Sequence, residues 1–385
     1  MRSLRSGGVI AILALAAASP SAAGERMFVG YYPSWMDAAN PADCGVDAAS
    51  KLACVSPVYS HVIIAFAKPD FAWDGASWTD TGLDFKLPPA GVRRAVDALH
   101  RRNMRVLLAV GGQKYVNWAA LAAEGKAGRS GPVTAALTRV VSDLDLDGLD
   151  VDYEARDGAV DQIGEYADAI SAMRRAADQA GRGKILSLAG WSTGADCTAA
   201  TGLEGCGGRA SIWPTPVGRE RLLFRDGDVL SKINIINIMS YDGGTESYDP
   251  VAAWKLYRDL VPSRIVVNIG FETAPQGWGD ATLVINDDDA ACRGAIVLAD
   301  QFGETINRPY SVERLLESGP LAPRPNGNPR DGAMLWHLLK DQHLPACGPS
   351  AAASPREIET RAGALLGRPP ADAARRDSPE GLHVQ

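Results

Sequence analysis

Asp147-Gly148-Leu149-Asp150-Val151-Asp152-Tyr153-Glu154 is the stretch whose reading decides the fold. Leu149, Val151 and Tyr153 alternate with Asp150, Asp152 and Glu154, and alternation with a period of two predicts a strand. The strand puts three carboxyl groups on one face, with second neighbours about 6.5–7 Å apart along the chain. Like charges at that spacing do not all ionise freely, so at least one pKa should rise. A carboxyl that keeps its proton near neutral pH is what a general acid requires. Asp147 lies off that face and reads as structural.

Two plainer readings compete. An acidic strand end can be a solvated edge. The window Asp143 to Glu154 also fits the EF-hand pattern, with acids at positions 1, 3 and 5, Gly148 at 6 and Glu154 at 12. Against calcium, position 8, normally apolar, is Asp150. Leu144 and Leu146 fill early positions usually left to small or polar residues. The loop would also need a helix on each side, where Leu149 to Tyr153 reads as strand.

Outward from this stretch, short apolar runs recur. Met27–Tyr32, His61–Phe66, Arg105–Val110, Lys184–Ala189, Ile233–Met239, Ile265–Gly270 and Ala333–Trp336 read as strands; with the acidic strand they make eight. Several are almost continuously apolar, as expected of parallel strands covered on both faces. Helical spacing is expected over Gly91–Arg102, Pro132–Leu144, Asp161–Gln179, Arg219–Arg225, Val251–Leu260 and Ser311–Glu317. Strands alternating with helices predict an α/β protein, a single (β/α)8 TIM barrel over 24–347. A doubly wound open sheet is the alternative fold, but the first strand is followed by no Gly-rich dinucleotide fingerprint. No large insertion is expected between the last two strands, and a shallow, open cleft follows from that.

The chain has 385 residues, 46% hydrophobic and 22% charged, enough for one large core. A formal net charge of -7 gives no reason to expect nucleic acid or an anionic membrane as partner. Arg2 and Arg5, an apolar run from Val9 to Ala18 and Ser21-Ala22-Ala23 read as a signal peptide over 1–23, cut after Ala23. The expectation is a secreted, extracellular or periplasmic, monomeric protein that is free of the membrane once cleaved. From Gly348 onward the composition predicts a flexible tail (348–385), with a short helix around Ile358 to Leu366.

Six cysteines fit an oxidising compartment, and six allow 15 connectivities. Loop proximity favours Cys44–Cys54 and Cys197–Cys206, leaving Cys292 for Cys347. None of the spacings resembles a zinc site, and no metal is expected.

The acidic stretch resembles the DxxDxDxE signature of glycoside hydrolase family 18, the chitinase family, with Asp147, Asp150, Asp152 and Glu154 in place. Met239-Ser240-Tyr241-Asp242 resembles the family's Met-x-Tyr-Asp segment at the end of the sixth strand. Trp336 resembles the tryptophan that floors the family's sugar site, where the plain reading is a core aromatic. Gly111-Gly112 matches the glycine pair of the family's Ser-x-Gly-Gly segment. The serine position, however, is Ala109, so a hydroxyl that supports the inner aspartate is missing. Tyr153 replaces the usual Trp or Phe, and Ala155-Arg156 replaces an aromatic-Pro pair.

The resemblance implies substrate-assisted retaining hydrolysis, outside the usual two-carboxylate scheme. Glu154 would protonate the glycosidic oxygen, and Asp152 would orient the substrate's 2-acetamido group. Asp150 would share a proton with Asp152, and Tyr241 would hydrogen-bond the acetamido oxygen. Trp336, Asp242, Met239, Tyr31 and Gly112 would line the sugar site, with Trp35, Trp191 and Trp278 in nearby loops. No cofactor is implied. The implied partner is a β-1,4-linked N-acetylglucosamine polymer or oligosaccharide. An endo-β-N-acetylglucosaminidase acting on N-glycans and a non-catalytic chitinase-like lectin remain the alternatives.

Overall fold

A computed structural model of the chain describes residues 25–39, 46, 49–154, 162–197, 218–241, 248–272, 282–286, 295–299, 305–308, 312–339 and 355–368. Eight strands close into an all-parallel barrel: β1 (Phe28–Pro33), β2 (His61–Ala67), β3 (Arg105–Gly111), β4 (Gly148–Asp152), β5 (Ile185–Gly190), β6 (Ile235–Ile238), β7 (Val266–Glu272) and a last strand, Gly332–Trp336. Each strand pairs with its neighbours in chain order, and the last closes the ring between β7 and β1. This is the (β/α)8 barrel the alternation predicts, not an open sheet. The EF-hand window therefore runs from the last residue of the helix Pro132–Asp143 through a short turn into a barrel strand, and no calcium loop forms there.

Most helices lie where apolar spacing placed them; the short helices Ala119–Lys126 and Gly227–Lys232 are additions to that reading. α1 (Pro89–His100) buries Val92, Ala95, Val96 and Leu99, and α2 (Ala119–Lys126) precedes α3 (Pro132–Asp143). Pro89 and Pro132 occupy the first helical turn, where a missing N–H costs nothing. The N-terminus of α3 is capped from a distance: the Glu124 carboxylate accepts from the N–H groups of Gly131, Val133 and Thr134 at 2.8–3.1 Å. α4 (Ile163–Ala180) buries Tyr166, Ala169, Ile170, Met173, Ala176 and Ala177 along one face. α5 (Arg219–Leu223) and α6 (Gly227–Lys232) are short. α7 (Pro250–Leu260) starts at Asp249, whose carboxylate accepts from the N–H groups of Val251 and Ala252.

Two features depart from the sequence reading. Between β7 and the last barrel strand runs a small antiparallel sheet: β8 (Thr282–Asn286), β9 (Ala295–Ala299) and β10 (Thr305–Arg308), with β9 in the middle. Among the described residues it is three short strands, followed by α8 (Val312–Ser318) and the last barrel strand, now β11. The second departure lies in the tail: the short helix expected around Ile358 to Leu366 forms as α9 (Pro355–Leu365), but it is packed, and its Ile358 and Ala362, with Leu366 beyond it, join the main core. Arg361 pairs with Glu313 of α8 at 2.5 Å. Arg368 pairs with Glu25 at 2.6 Å and donates to the Val58 carbonyl at 2.6 Å. Glu25 and Val58 precede β1 and β2, so α9 lies against the N-terminal end of the barrel. An apolar residue every fourth position is enough to hold it there.

Ion pairs, one half-exposed and one buried, fasten the frame at the same end. Asp147 leads into β4 and accepts from His100 Nε2 (2.8 Å), Arg105 Nη1 (2.7 Å) and the N–H of Val106 (2.8 Å). These hydrogen bonds hold its carboxyl below the ordinary range although burial pushes the other way. Asp331, just before β11, accepts from Arg258 of α7 at 3.1 Å and from the N–H of Val267 at 2.8 Å.

The residues from 1 to 24 lie outside the described ones, as do Cys44, Cys206, Cys292 and Cys347. Among the described residues, which include Cys54 and Cys197, no cysteine is free. Among the described residues, no helix is long and apolar enough to cross a membrane.

Candidate active site

β4 carries the three carboxyls of its alternating face to one end of the barrel. Asp150 is fully buried and Asp152 nearly so, while Glu154, two residues past the strand end, is partly exposed. The row thus runs from the interior out to the surface, and Glu154 is the member that a solute reaches.

Asp150 is held from two sides. The Tyr31 hydroxyl of β1 donates to Oδ2 at 2.9 Å, and the Ser187 hydroxyl of β5 donates to Oδ1 at 2.5 Å. Ser187 is its register partner on β5, and Ala109 is its partner on β3. The hydroxyl missing at Ala109 is therefore supplied from the opposite neighbouring strand. Burial pushes the Asp150 carboxyl up to about 6, against the pull of both hydrogen bonds.

Burial, then the charges of Glu154 and Asp150, push Asp152 well above the usual carboxylate range; Arg219 opposes them. Asp152 Oδ1 is buried without a hydrogen-bond partner, a position suited to receive a donor. Burial also pushes Glu154 up to about 7, against Arg219 and a hydrogen bond from the N–H of Gln113. Near neutral pH the row as a whole therefore keeps protons that isolated carboxylates would lose.

The glycine pair has a geometric reason. Gly111 ends β3 at φ +110°, and a Cβ there would lie 2.0 Å from the Asp152 carbonyl oxygen. Gly112 has φ +78°, and its N–H donates to that same oxygen at 2.8 Å. Backbone this close to β4 excludes any side chain. The turn it makes brings the Gln113 N–H to Glu154.

Aromatic rings collect at the same barrel end. Trp336 ends β11, partly exposed, with its ring centroid 5.8 Å from Tyr31, 5.5 Å from Phe66 and 6.3 Å from Trp35. Trp35 is 43% exposed, so this cluster shows an open aromatic face rather than a sealed core. Tyr241, two residues past Met239, is buried, and its ring lies 3.1 Å from where a Cβ on Gly270 would stand. Its charge reaches Tyr31. Met239 is buried at the end of β6, its N–H donating to the Gly190 carbonyl at 2.8 Å. The structure thus brings Tyr31, Gly112, Asp150, Asp152, Glu154, Met239, Tyr241 and Trp336 to the C-terminal face, where barrel enzymes place their chemistry. Asp147 stands at the other end. Asp242 and Trp278 lie outside the described residues.

Sequence reasoning passed over several neighbours. Ser187 sits between Leu186 and Leu188 in a strand that reads only as apolar, and its partner is visible only through register. Arg219 and Glu220 open α5 and are both buried, which nothing in their local pattern indicates. Tyr166 of α4 stacks on Tyr153 at 4.3 Å between ring centroids.

Comparisons with known proteins agree with this geometry. The family described as Glycosyl hydrolases family 18 matches residues 27–259. A family GH18 chitinase from Chromobacterium violaceum is similar in fold, with a TM-score of 0.52 at 14% identity over 89% of this chain and 84% of that one. A GH18 chitinase from Cycas revoluta in complex with (GlcNAc)3 has a TM-score of 0.51 at 12% identity, covering 89% and 99%. A class V chitinase from Nicotiana tobaccum in complex with NAG4 has a TM-score of 0.50 at 14% identity, also covering 89% and 99%. No curated protein sequence matches the chain. With the family matched over more than half its length and the acid row at the C-terminal face of a closed barrel, this chain belongs to the glycosyl hydrolases of family 18.

Proposed function

We propose that this glycosidase is exported and cleaves β-1,4-linked N-acetylglucosamine polymers by substrate-assisted, retaining hydrolysis. One observation carries the reading: a partly exposed carboxyl, Glu154, raised to about 7, stands beside a buried aspartate that is also pushed to retain its proton. That pairing suits a proton donor next to a group that binds an amide. Glu154 donates to the departing glycosidic oxygen and later takes a proton from water. Asp152, with its unpartnered Oδ1, receives the N–H of the 2-acetamido group as that group's oxygen attacks the anomeric carbon. The oxazolinium so formed needs no protein nucleophile.

Asp150, held by Tyr31 and Ser187, shares a proton with Asp152, and the Tyr241 hydroxyl holds the acetamido oxygen. Trp336 stacks under the sugar, with Met239 and Gly112 at the same end of the barrel, and Asp242 is proposed as a further sugar ligand. The chemistry asks for no metal or organic cofactor. Chitinases of similar fold bound to (GlcNAc)3 and NAG4 support the choice of substrate.

Mass spectrometry of products from chitooligosaccharides and from an N-glycoprotein, with the first-formed anomer read by NMR, tests this. Shorter chitooligosaccharides released as the β-anomer are expected. Release from the glycoprotein alone would make the protein an endo-β-N-acetylglucosaminidase, and binding without products would make it a lectin. We further propose a monomer with three structural disulfides, Cys44–Cys54, Cys197–Cys206 and Cys292–Cys347. Thiol titration of the unfolded, unreduced protein is expected to find no reactive thiol, and six would overturn the pairing.

A further inference from the structure

A buried cation stands against Tyr153, the residue between Asp152 and Glu154, and the proton-transfer scheme leaves it unused. Arg219, at the first turn of α5, is 3% exposed. Its Nε and Nη2 donate to Oε1 of the fully buried Glu220 at 3.0 and 2.5 Å. The same oxygen accepts from the Trp191 N–H at 3.3 Å. The guanidinium carbon lies 5.7 Å from the ring centroid of Tyr153, 5.0 Å from Tyr166 and 5.8 Å from Trp191. Three aromatic rings thus cage one cation.

The cage is tied to the reacting strand. Tyr153 is the residue between Asp152 and Glu154. Its ring stacks on Tyr166, at 12° between planes, and its hydroxyl donates to Glu165 Oε1 at 2.6 Å. Arg219 Nη1 is buried and has no hydrogen-bond partner, so hydrogen bonding alone does not account for a guanidinium here. A buried pair such as Arg219–Glu220 is also no better for stability than apolar side chains of the same volume. What an apolar pair cannot supply is a fixed positive charge in a site shielded from water, where charges act at full range.

We propose that Arg219, caged by Tyr153, Tyr166 and Trp191 and tethered to Glu220, is a positioning residue that sets how protons are shared between Asp152 and Glu154. The proposal rests on the reading of Glu154 as proton donor. Among the described residues, Asp150 on β4, Tyr31 on β1 and Tyr166 on α4 interact with Asp152, while Tyr241 after β6 acts on Tyr31, Glu165 accepts from Tyr153 and Glu220 pairs with Arg219. None of these is a cation, and Arg219 pulls both Asp152 and Glu154 toward their charged forms.

The sign follows. Removing the guanidinium lets Glu154 keep its proton to higher pH. Removing the Glu220 charge while keeping Arg219 makes the surroundings more positive and does the reverse. An ion pair that only braces α5 would lose stability in both variants without opposite movements.

The test uses full-length protein carrying 13C at the glutamate carboxyls. The Glu154 signal, identified by its loss in Glu154→Gln, is titrated by NMR in wild type, Arg219→Met, Arg219→Lys, Glu220→Gln and the Arg219→Met/Glu220→Gln double variant. The alkaline limb of kcat on a chitooligosaccharide is followed in parallel. The expected midpoint rises in Arg219→Met, falls in Glu220→Gln, stays near wild type in Arg219→Lys and lies between the two singles in the double variant. Midpoints that stay fixed, or that move the same way in both singles, overturn the proposal. If Arg219→Met does not fold, a Glu220→Gln midpoint that fails to fall overturns it equally. Because the titration needs no turnover, a protein that leaves the oligosaccharide intact counts against the substrate reading and not against Arg219.

Discussion

Ser187→Ala is the substitution whose outcome the geometry specifies most fully. It deletes one hydroxyl, 2.5 Å from a carboxyl oxygen, with both residues completely buried. Asp150 keeps Tyr31 but loses its second donor. A hydrogen bond to a charged group contributes about 1.5–3 kcal/mol, a neutral one about 0.5–1.5 kcal/mol. Asp150 has a raised pKa, so the stability linked to its proton is present below its unfolded value near 4 and is lost as pH rises through about 6.

The cost of the substitution is therefore largest above about pH 7, where the carboxyl is charged, and smallest near pH 5. The charged bond exceeds the neutral one by about 1–1.5 kcal/mol, which at 1.36 kcal/mol per unit gives a further rise in the Asp150 midpoint of roughly 1 unit. The full 1.5–3 kcal/mol, if it is expressed in the transition state, corresponds to a loss in kcat of about 10- to 10²-fold. Urea unfolding at about pH 5 and pH 8, with a kcat–pH profile, reads both effects. The β3 neighbour of Asp150 is Ala109, so Ala109→Ser on the Ser187→Ala background should recover part of each loss. Unfolding midpoints and a pH profile equal to wild type in Ser187→Ala would show that the register contact does no electrostatic work.

Two further outcomes follow from the same site. Glu154→Gln removes a carboxyl raised to about 7, whose linked stability is present at low pH and is lost as pH rises through that value. The variant should therefore gain on wild type between about pH 5 and pH 8, by an order of 1–3 kcal/mol in urea unfolding. A gain that shrinks with pH would reverse the assigned shift. Gly111→Ala forces a Cβ to 2.0 Å from the Asp152 carbonyl and should leave little folded protein by circular dichroism, whereas Gly128→Ala, also at positive φ but in open space, should cost only about 1–2 kcal/mol.

Much of this architecture can be read from the chain because local pattern and final environment coincide. The apolar runs at β2 and β3 are buried on both faces, and the alternating stretch does form β4, with Asp150 and Asp152 buried in it and Glu154 two residues beyond its end. The glycine pair after β3 is legible for the same reason, since only glycine fits against the Asp152 carbonyl. Ser187 is not legible because its role depends on which strand lies beside β4 and in what register. Arg219 and Glu220 read as an ordinary exposed helix start; only the rings of Tyr153, Tyr166 and Trp191 make them a buried charge pair. The small sheet of β8 to β10 is short and carries no strong turn signal. α9 is legible as a short helix, but its docking is not, because its few apolar residues find partners only on the barrel, where Ile358 and Leu366 are buried.

The central claim is that Glu154 hands a proton to a departing sugar from the open end of a buried acid row. Its most direct test is the rate of chitooligosaccharide cleavage by Glu154→Gln, with oligosaccharide binding followed by tryptophan fluorescence. The account predicts a fall in kcat of at least about 10²- to 10⁴-fold with binding nearly unchanged. Cleavage at most of the wild-type rate would contradict it.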